Sequence, residues 1–420
     1  MPANIHRIKM RIAIINRSDL NGGAAVFSYR LLKALRSQDI DAKMLVTEKL
    51  SDSDDVLRYA SPICDRYAFL AERLQIFLQN GFSRKNLFKV DTADFGRDIS
   101  KHPIVKNADV IILNWINQGA VSLDCVKKLC DSGKPVIWNM HDMWECTGIC
   151  HHAYECERYK DACGKCIYLR SNNEKDLSHK SWLKKKAIFS SKNLHFVAVS
   201  NWLARKCRES SLLGDKNVTV IPNTIAVEEF SFNRRRNIDM EIPNNRKIIT
   251  MGAARLDDPV KGFPILLGAL KWLKAHKPEI AENLHLLLFG GIRDASLLLE
   301  IDLPFTYLGR IDEKRVKEVL SHTDVILSSS LYESFGGTLI EGMAAGCIPV
   351  TFGNGGQGDI VNHLQTGYIA KYKSCEDFAN GIEWAVNSGI DRAFLHETAE
   401  KRFAPPIIVD KYLRLITEVI

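Results

Sequence analysis

At 420 residues the chain is too long for one ordinary domain and suits two of roughly 200 residues. Hydrophobic residues at 46% and charged residues at 25% are ordinary globular values, so ample core can be buried. The formal charge of +7 is spread along the chain and not gathered into arginine-rich tracts. That favours anionic small molecules or an anionic membrane surface and argues against dedicated nucleic-acid binding.

The opening "MPANIHRIKMRIAIIN" lacks an apolar signal segment and a small-residue cleavage site, and reads as a first β-strand. No apolar run approaches the ~20 residues needed to span a bilayer. The expected location is therefore the cytoplasm. Eleven cysteines in a reducing compartment argue against a disulfide framework and point to metal or reactive thiols wherever they cluster.

Short β-rich runs then recur with helical patterns between them. The first half contains "RIAIIN", "DAKMLVT", "DVIILNW", "PVIWNM", "HFVAVS" and "VTVIPN". The second half contains "KIITMGA", "LHLLLFGG", "FTYLG", "DVILSSS", "IPVTFG" and "GYIAK". Several are continuously apolar, as strands covered on both faces must be, and their alternation with helices implies parallel sheets. The expected fold is α/β: two Rossmann-like domains joined near the polar stretch "SFNRRRNIDMEIPNNRK" (231–247). Ligands in such folds bind beyond the carboxyl ends of the strands.

After the first strand, Gly22 and Gly23 precede an amphipathic helix and make a candidate backbone phosphate cradle, weaker than a full G-x-G-x-x-G fingerprint. The segment at 65–88 mixes aromatic and aliphatic residues with arginine and lysine, and 175–192 is basic with a tryptophan and a phenylalanine. Either could dock on an anionic membrane surface; ordinary helices covering a sheet are the competing explanation. His141 and Asp142 stand immediately past the strand "PVIWNM". An imidazole there can donate to a hydroxyl, sit satisfied in the core or bind metal.

"CTGICHHAYECERYKDACGKC" (146–166) holds Cys150, Cys156, Cys163 and Cys166 at C-x5-C-x6-C-x2-C spacing. Four thiolates in one short loop suit tetrahedral Zn2+ in a structural role, with Cys146, His151 and His152 as substitute ligands. Packed reduced thiols are the alternative.

In the second half, "GAARLDDPVKGF" puts Arg255 after a strand and Lys261 before a helix, a cation pair able to neutralise a diphosphate leaving group. "ESFGGTLIE" places Glu333 in a loop after a strand, with Ser334, Phe335, Gly336, Gly337 and Thr338 leading into a helix that carries Glu341. The glycine-opened helix start is an anion site, most suited to phosphate. Glu341 can accept from a vicinal diol such as ribose, and Glu333 can reach a sugar beyond the phosphates. That is the outline of a nucleotide-sugar.

Taken together, "ESFGGTLIE", "RLDDPVKGF", "VSNW" (199–202), "VIPNTI" (220–225) and "GGQGDIVNHLQTGY" (355–368) resemble the retaining glycosyltransferases of family 4. The resemblance implies the GT-B fold, two Rossmann-like domains facing across a cleft. An acceptor-side domain would span 1–235 and a nucleotide-sugar domain 240–404, with the helix at 405–420 packing back on the first. It implies that Glu341 binds ribose, that Arg255 and Lys261 bind the diphosphate, and that Glu333 and His141 contact the donor sugar. The implied catalysis is a front-face displacement in which a phosphate oxygen takes the acceptor proton and no catalytic metal is needed. Cysteine insertions of this kind resemble those in bacterial exopolysaccharide, capsule and lipopolysaccharide enzymes. The implied acceptor is a glycan or polyprenyl-linked saccharide, at the inner face of the cytoplasmic membrane. The chain departs from the family pattern at Gly342, commonly alanine, at Asp359, commonly glutamate, and in lacking proline before the serine of "SSS". The rival readings are a non-catalytic zinc-stapled nucleotide-sugar-binding protein and a sugar-nucleotide epimerase.

Overall fold

The computed structural model describes residues 10–232 and 245–420. Most of the linker read at 231–247 lies outside the described residues, as does the start of the opening segment. The chain divides into two compact units, one of residues 1–224 with 408–420 and one of residues 225–407.

The first unit holds seven strands: β1 (Arg11–Ile15), β2 (Asp41–Val46), β3 (Val56–Arg58), β4 (Val110–Leu113), β5 (Val136–Met140), β6 (Leu194–Ala198) and β7 (Val218–Val220). They lie in the order β3-β2-β1-β4-β5-β6-β7, and every neighbouring pair is parallel. All residues of β4 and β5 are buried, which is why β4 reads as continuously apolar and β5 as apolar but for Asn139. Helix α1 (Gly23–Ser37) contributes Leu31, Leu32 and Leu35 to one face of the sheet. The last helix of the chain, Pro405–Val419, adds Ile408, Tyr412 and Ile416 to the same core. Chain order reverses between β1 and β4, so the crevice for a ligand in this unit opens beyond Ile15 and Leu113.

The second unit holds β8 (Lys247–Arg255), β9 (Leu284–Gly291), β10 (Phe305–Tyr307), β11 (Val325–Ser328), β12 (Ile348–Phe352) and β13 (Tyr368–Ala370). Their order is β10-β9-β8-β11-β12-β13, again with every neighbouring pair parallel. The switch point here lies between β8 and β11. The register of β8 against β9 shifts between Gly252 and Arg255, so the end of β8 bends beside that crevice.

Two details explain local sequence choices. The helix Gly337–Ala344 rides so close on β11 that a Cβ at Gly342 would sit 2.6 Å from Ile326 Cγ2. A methyl has no room at this position. The three-residue strand β3, by contrast, was not legible: only Val56 is buried, too little for a pattern. No helix among the described residues is long and apolar enough to cross a membrane.

Candidate functional site

The crevice of the second unit is lined by the ends of its two central strands and by the loop that follows. Met251 and Gly252 of β8 and Leu327 and Ser328 of β11 form its floor. Lys261, Ser330, Glu333, Gly336, Gly337 and Thr338 complete a cavity of about 30 Å³. The helix behind it is capped by Gly336 at φ +108, a conformation a side chain resists. The first amides of that helix have no acceptor within the helix and carry the positive end of its dipole. Lys261 ends a short turn, Pro259–Lys261, held by Asp258, whose carboxylate accepts from Val260 N at 3.1 Å. Gly262 follows at φ +65, where a Cβ would lie 2.1 Å from the Ser329 carbonyl oxygen. That close approach ties the lysine turn to the end of β11.

Lys261 Nζ donates to Glu333 Oε2 at 2.7 Å. The glutamate charge raises the lysine pKa above its ordinary value, and Lys261 stays a cation. Sequence reasoning assigned these two side chains to different parts of a ligand; the structure makes them direct partners, 72 positions apart. Arg255 is not among the residues lining this cavity. Its Nη2 donates to Asp258 Oδ2 at 2.7 Å, and its Nε lies 3.5 Å from Asp257 Oδ1. Glu341 stands about one turn into the helix and is half-buried. Ser334 is buried, and the Phe335 ring meets Phe403 edge-on at 6.1 Å inside the unit. Gly22 and Gly23 belong to the first unit, where Gly22 caps α1 at φ +98.

In the first unit His141 follows β5 directly. Its Nε2 donates to Asn114 Oδ1 at 3.0 Å, and Asn139 Nδ2 donates to the same oxygen at 3.0 Å. Burial lowers the imidazole pKa to about 4, so the ring is neutral and presents Nδ1 as an acceptor. Asn114 Nδ2 and Asn139 Oδ1 are buried without protein partners at the same strand ends.

Residues 234–402 match the family model of glycosyl transferases group 1. The matched stretch falls within the second unit. The GPI3 subunit of phosphatidylinositol N-acetylglucosaminyltransferase from Saccharomyces cerevisiae is 24% identical over 238 residues, 53% of this chain and 50% of that protein. Phosphatidyl-myo-inositol mannosyltransferase from Mycolicibacterium smegmatis is 33% identical over 155 residues, 36% of this chain and 37% of that protein. The chain spans about half the length of the first of these relatives. Among solved structures, sucrose-phosphate synthase from Thermosynechococcus elongatus matches with a TM-score of 0.64 at 16% identity, covering 98% of this chain and 99% of that one. A glycosyltransferase from Rickettsia africae matches with a TM-score of 0.61 at 16% identity and 98% coverage of both chains. The two parallel-sheet units and these neighbours give the chain the α/β GT-B fold.

One residue beside the second unit's cavity escaped the sequence reading. Gln357 is fully buried, accepts from Ser328 Oγ at 3.0 Å and donates to the Ser330 carbonyl at 2.9 Å. It fixes the loop at the cavity wall. Its only signal was its place between the glycines of "GGQGD".

The first unit hides a longer network. Asp142 accepts from Trp144 N at 2.7 Å, Trp115 Nε1 at 3.1 Å and His151 Nδ1 at 2.9 Å. His151 Nε2 donates in turn to Asp91 Oδ2 at 2.6 Å, and Asp91 is paired with Arg73, itself beside Glu72. Burial opposes the imidazolium, yet Asp142 and Asp91 together hold the His151 pKa up at about 10. Burial would raise the Asp142 carboxyl, but His151 brings it down to about 2. With both ring nitrogens engaged, His151 drops out as a metal-ligand substitute. The sulfur of Cys146 lies 3.0 Å from that of Cys207.

Cys150, Cys156, Cys163 and Cys166 all line one cavity of about 20 Å³. Gly148 N donates to Cys163 Sγ at 3.2 Å, and Cys163, Gly164 and Lys165 run consecutively through positive φ. Burial raises the Cys163 and Cys166 thiols to about 11 and 12. Among the described residues, no three His, Cys, Asp or Glu side chains converge as a metal-holding group. The four cysteines share a cavity without meeting at one point.

Of the two segments read as surface-docking candidates, the one at 175–192 turns much of itself inward. Its helix, Leu177–Phe189, buries Trp182, Phe189 and the whole of Lys185. Lys185 Nζ donates to the Trp144 and Thr147 carbonyls at 2.6 and 3.0 Å, and burial lowers its pKa to about 7.

Proposed function

We propose that the chain is a retaining glycosyltransferase that moves a sugar from a nucleotide-diphosphate-sugar to a glycan or lipid-linked saccharide in bacterial surface polysaccharide biosynthesis. One observation carries this reading: a cation, a carboxylate and a glycine-opened helix start share a single cavity at the strand-order switch point of the second unit. In the proposed role, Lys261 and the amides at Gly336 and Gly337 hold the diphosphate, and Glu333 sets the lysine and faces the donor sugar. Arg255 reaches the phosphates by exchanging Asp258 for them, and Glu341 binds the ribose. His141 contacts the sugar as a hydroxyl acceptor. The acceptor oxygen forms its bond to the anomeric carbon on the face the diphosphate leaves, and a phosphate oxygen takes the proton. Catalysis then rests on positioning and on charge stabilisation of the leaving group, with no catalytic metal.

The test is a panel of nucleoside diphosphates and nucleotide-sugars. Ligand present at 100 times its Kd stabilises the folded chain by about 2.7 kcal/mol. One base is therefore expected to raise Tm clearly, and its sugar conjugate to release free nucleoside diphosphate slowly in the absence of acceptor. Interconversion of the sugar without diphosphate release would favour the epimerase instead, and binding without either reaction would favour a binding protein. No response to any member would overturn the reading.

We also propose that Cys150, Cys156, Cys163 and Cys166 close around a structural Zn2+. Their shared cavity and the amide facing the Cys163 sulfur support it. Metal binding would draw the sulfurs to about 2.3 Å from the ion and staple the loop that follows His141. Chain purified without chelator is expected to carry about one zinc per molecule by elemental analysis. Zinc near zero would remove the claim.

A further inference from the structure

Helix α2 (Pro62–Gln79) has two faces with opposite fates. Its inner face buries Ala68, Glu72, Arg73 and Ile76. Glu72 accepts from Thr92 N at 2.9 Å and Ala93 N at 2.7 Å, and Arg73 donates to the Leu87 and Val90 carbonyls at 2.5 and 3.2 Å. The helix is therefore bolted to the unit and cannot roll.

Its outer face carries Ile63, Tyr67, Leu70, Leu74 and Leu78, exposed by 82, 75, 52, 55 and 48%. These positions recur every three or four residues, which sets them in one stripe about 22 Å long. Phe82 and Phe88, 70 and 63% exposed, follow past the helix end. Scattered exposed apolar residues need no explanation, but a continuous stripe on a fixed helix does.

The charges around it indicate what covers it. Between residues 62 and 89 the exposed charged side chains are Arg66, Arg84, Lys85 and Lys89. The two carboxylates of that stretch are withdrawn: Glu72 is fully buried, and Asp65 is only 14% exposed and paired with Arg58 at 3.2 Å. An apolar stripe flanked by cations and free of exposed acid complements an anionic lipid surface, where the apolar side chains enter the headgroup boundary and the cations meet the lipid charge. We infer that α2 and the turn after it dock this chain on an anionic bilayer. The inference goes beyond the transferase reading and stands without it, since docking needs neither donor nor acceptor.

The experiment is co-sedimentation of the full chain with vesicles of phosphatidylcholine containing 30 mol% phosphatidylglycerol, about that composition, at low salt. Binding is expected, with weak binding to pure phosphatidylcholine and loss as salt rises. The double variant Leu70→Asp, Leu74→Asp is expected to abolish sedimentation while the chain stays folded, because about half of each side chain is already in water. The triple variant Arg84→Ala, Lys85→Ala, Lys89→Ala is expected to lower partition on the order of 100-fold, roughly fivefold per cation. No binding by the parent chain would overturn the inference, as would variants that bind like the parent. So would self-association of the parent in solution that the Leu70→Asp, Leu74→Asp pair removes, which would assign the stripe to a second copy.

Discussion

Lys261→Ala is expected to lower turnover on the order of 10²- to 10³-fold, the usual cost of removing one preorganised charge from a developing anion. The fold should hold. Lys261 and Glu333 are 29 and 24% exposed, so the freed carboxylate can be hydrated, and a partly exposed pair of this kind contributes about 1 kcal/mol or less. Turnover and Tm measured on the same preparation separate the two effects. Lys261→Arg keeps the charge but spreads it over a planar fork, and partial recovery is expected. Near-normal turnover in the alanine variant would refute the role given to this lysine. The raised pKa adds a sign. The contribution of the Lys261–Glu333 pair is present throughout neutral pH and is lost only as pH climbs past the ordinary lysine value of 10.5.

His151→Leu is expected to be the more damaging change for stability, by about 3–5 kcal/mol at pH 7, because it strands a buried carboxylate. Asp142 would keep Trp144 N and Trp115 Nε1 as donors but lose the imidazolium beside it, while Asp91 would retain Arg73. The midpoint of urea unfolding reads the loss. The pH dependence follows from the raised pKa. The histidine contribution is fully present below its unfolded value of 6.5 and disappears as pH rises through about 10, so the parent chain should lose stability across that window. His141 works in the opposite direction: its lowered pKa contributes above 6.5 and is lost as pH falls toward about 4. A variant at 151 as stable as the parent at pH 7 would show that the network carries no net stability.

The architecture was legible because it is written locally. Each of the twelve β-rich runs read from the sequence is a strand of one of two parallel sheets, and the apolar block "VIIL" is a strand buried on both faces. The helix start at Gly336 was visible in a glycine pair after a strand. Arg255 shows where local reading stops. Its neighbours Asp257 and Asp258 were in plain view, but whether the guanidinium turns to them or to the cavity depends on how the end of β8 bends. Gly342 is similar: only the approach of Ile326 shows why a methyl has no room there.

What the sequence determined by itself was periodicity and punctuation: two parallel α/β sheets, and glycines that free helix starts for an anion. Tertiary structure decided partnership and exposure. It joined Lys261 to Glu333 across 72 positions and Asp91 to His151 across 60, and it turned one face of α2 inward and left the other in water. The physical reason is range. Backbone conformation responds to neighbours within a turn or two, whereas the partner of a buried charge is chosen by whichever distant segment the sheet order brings alongside.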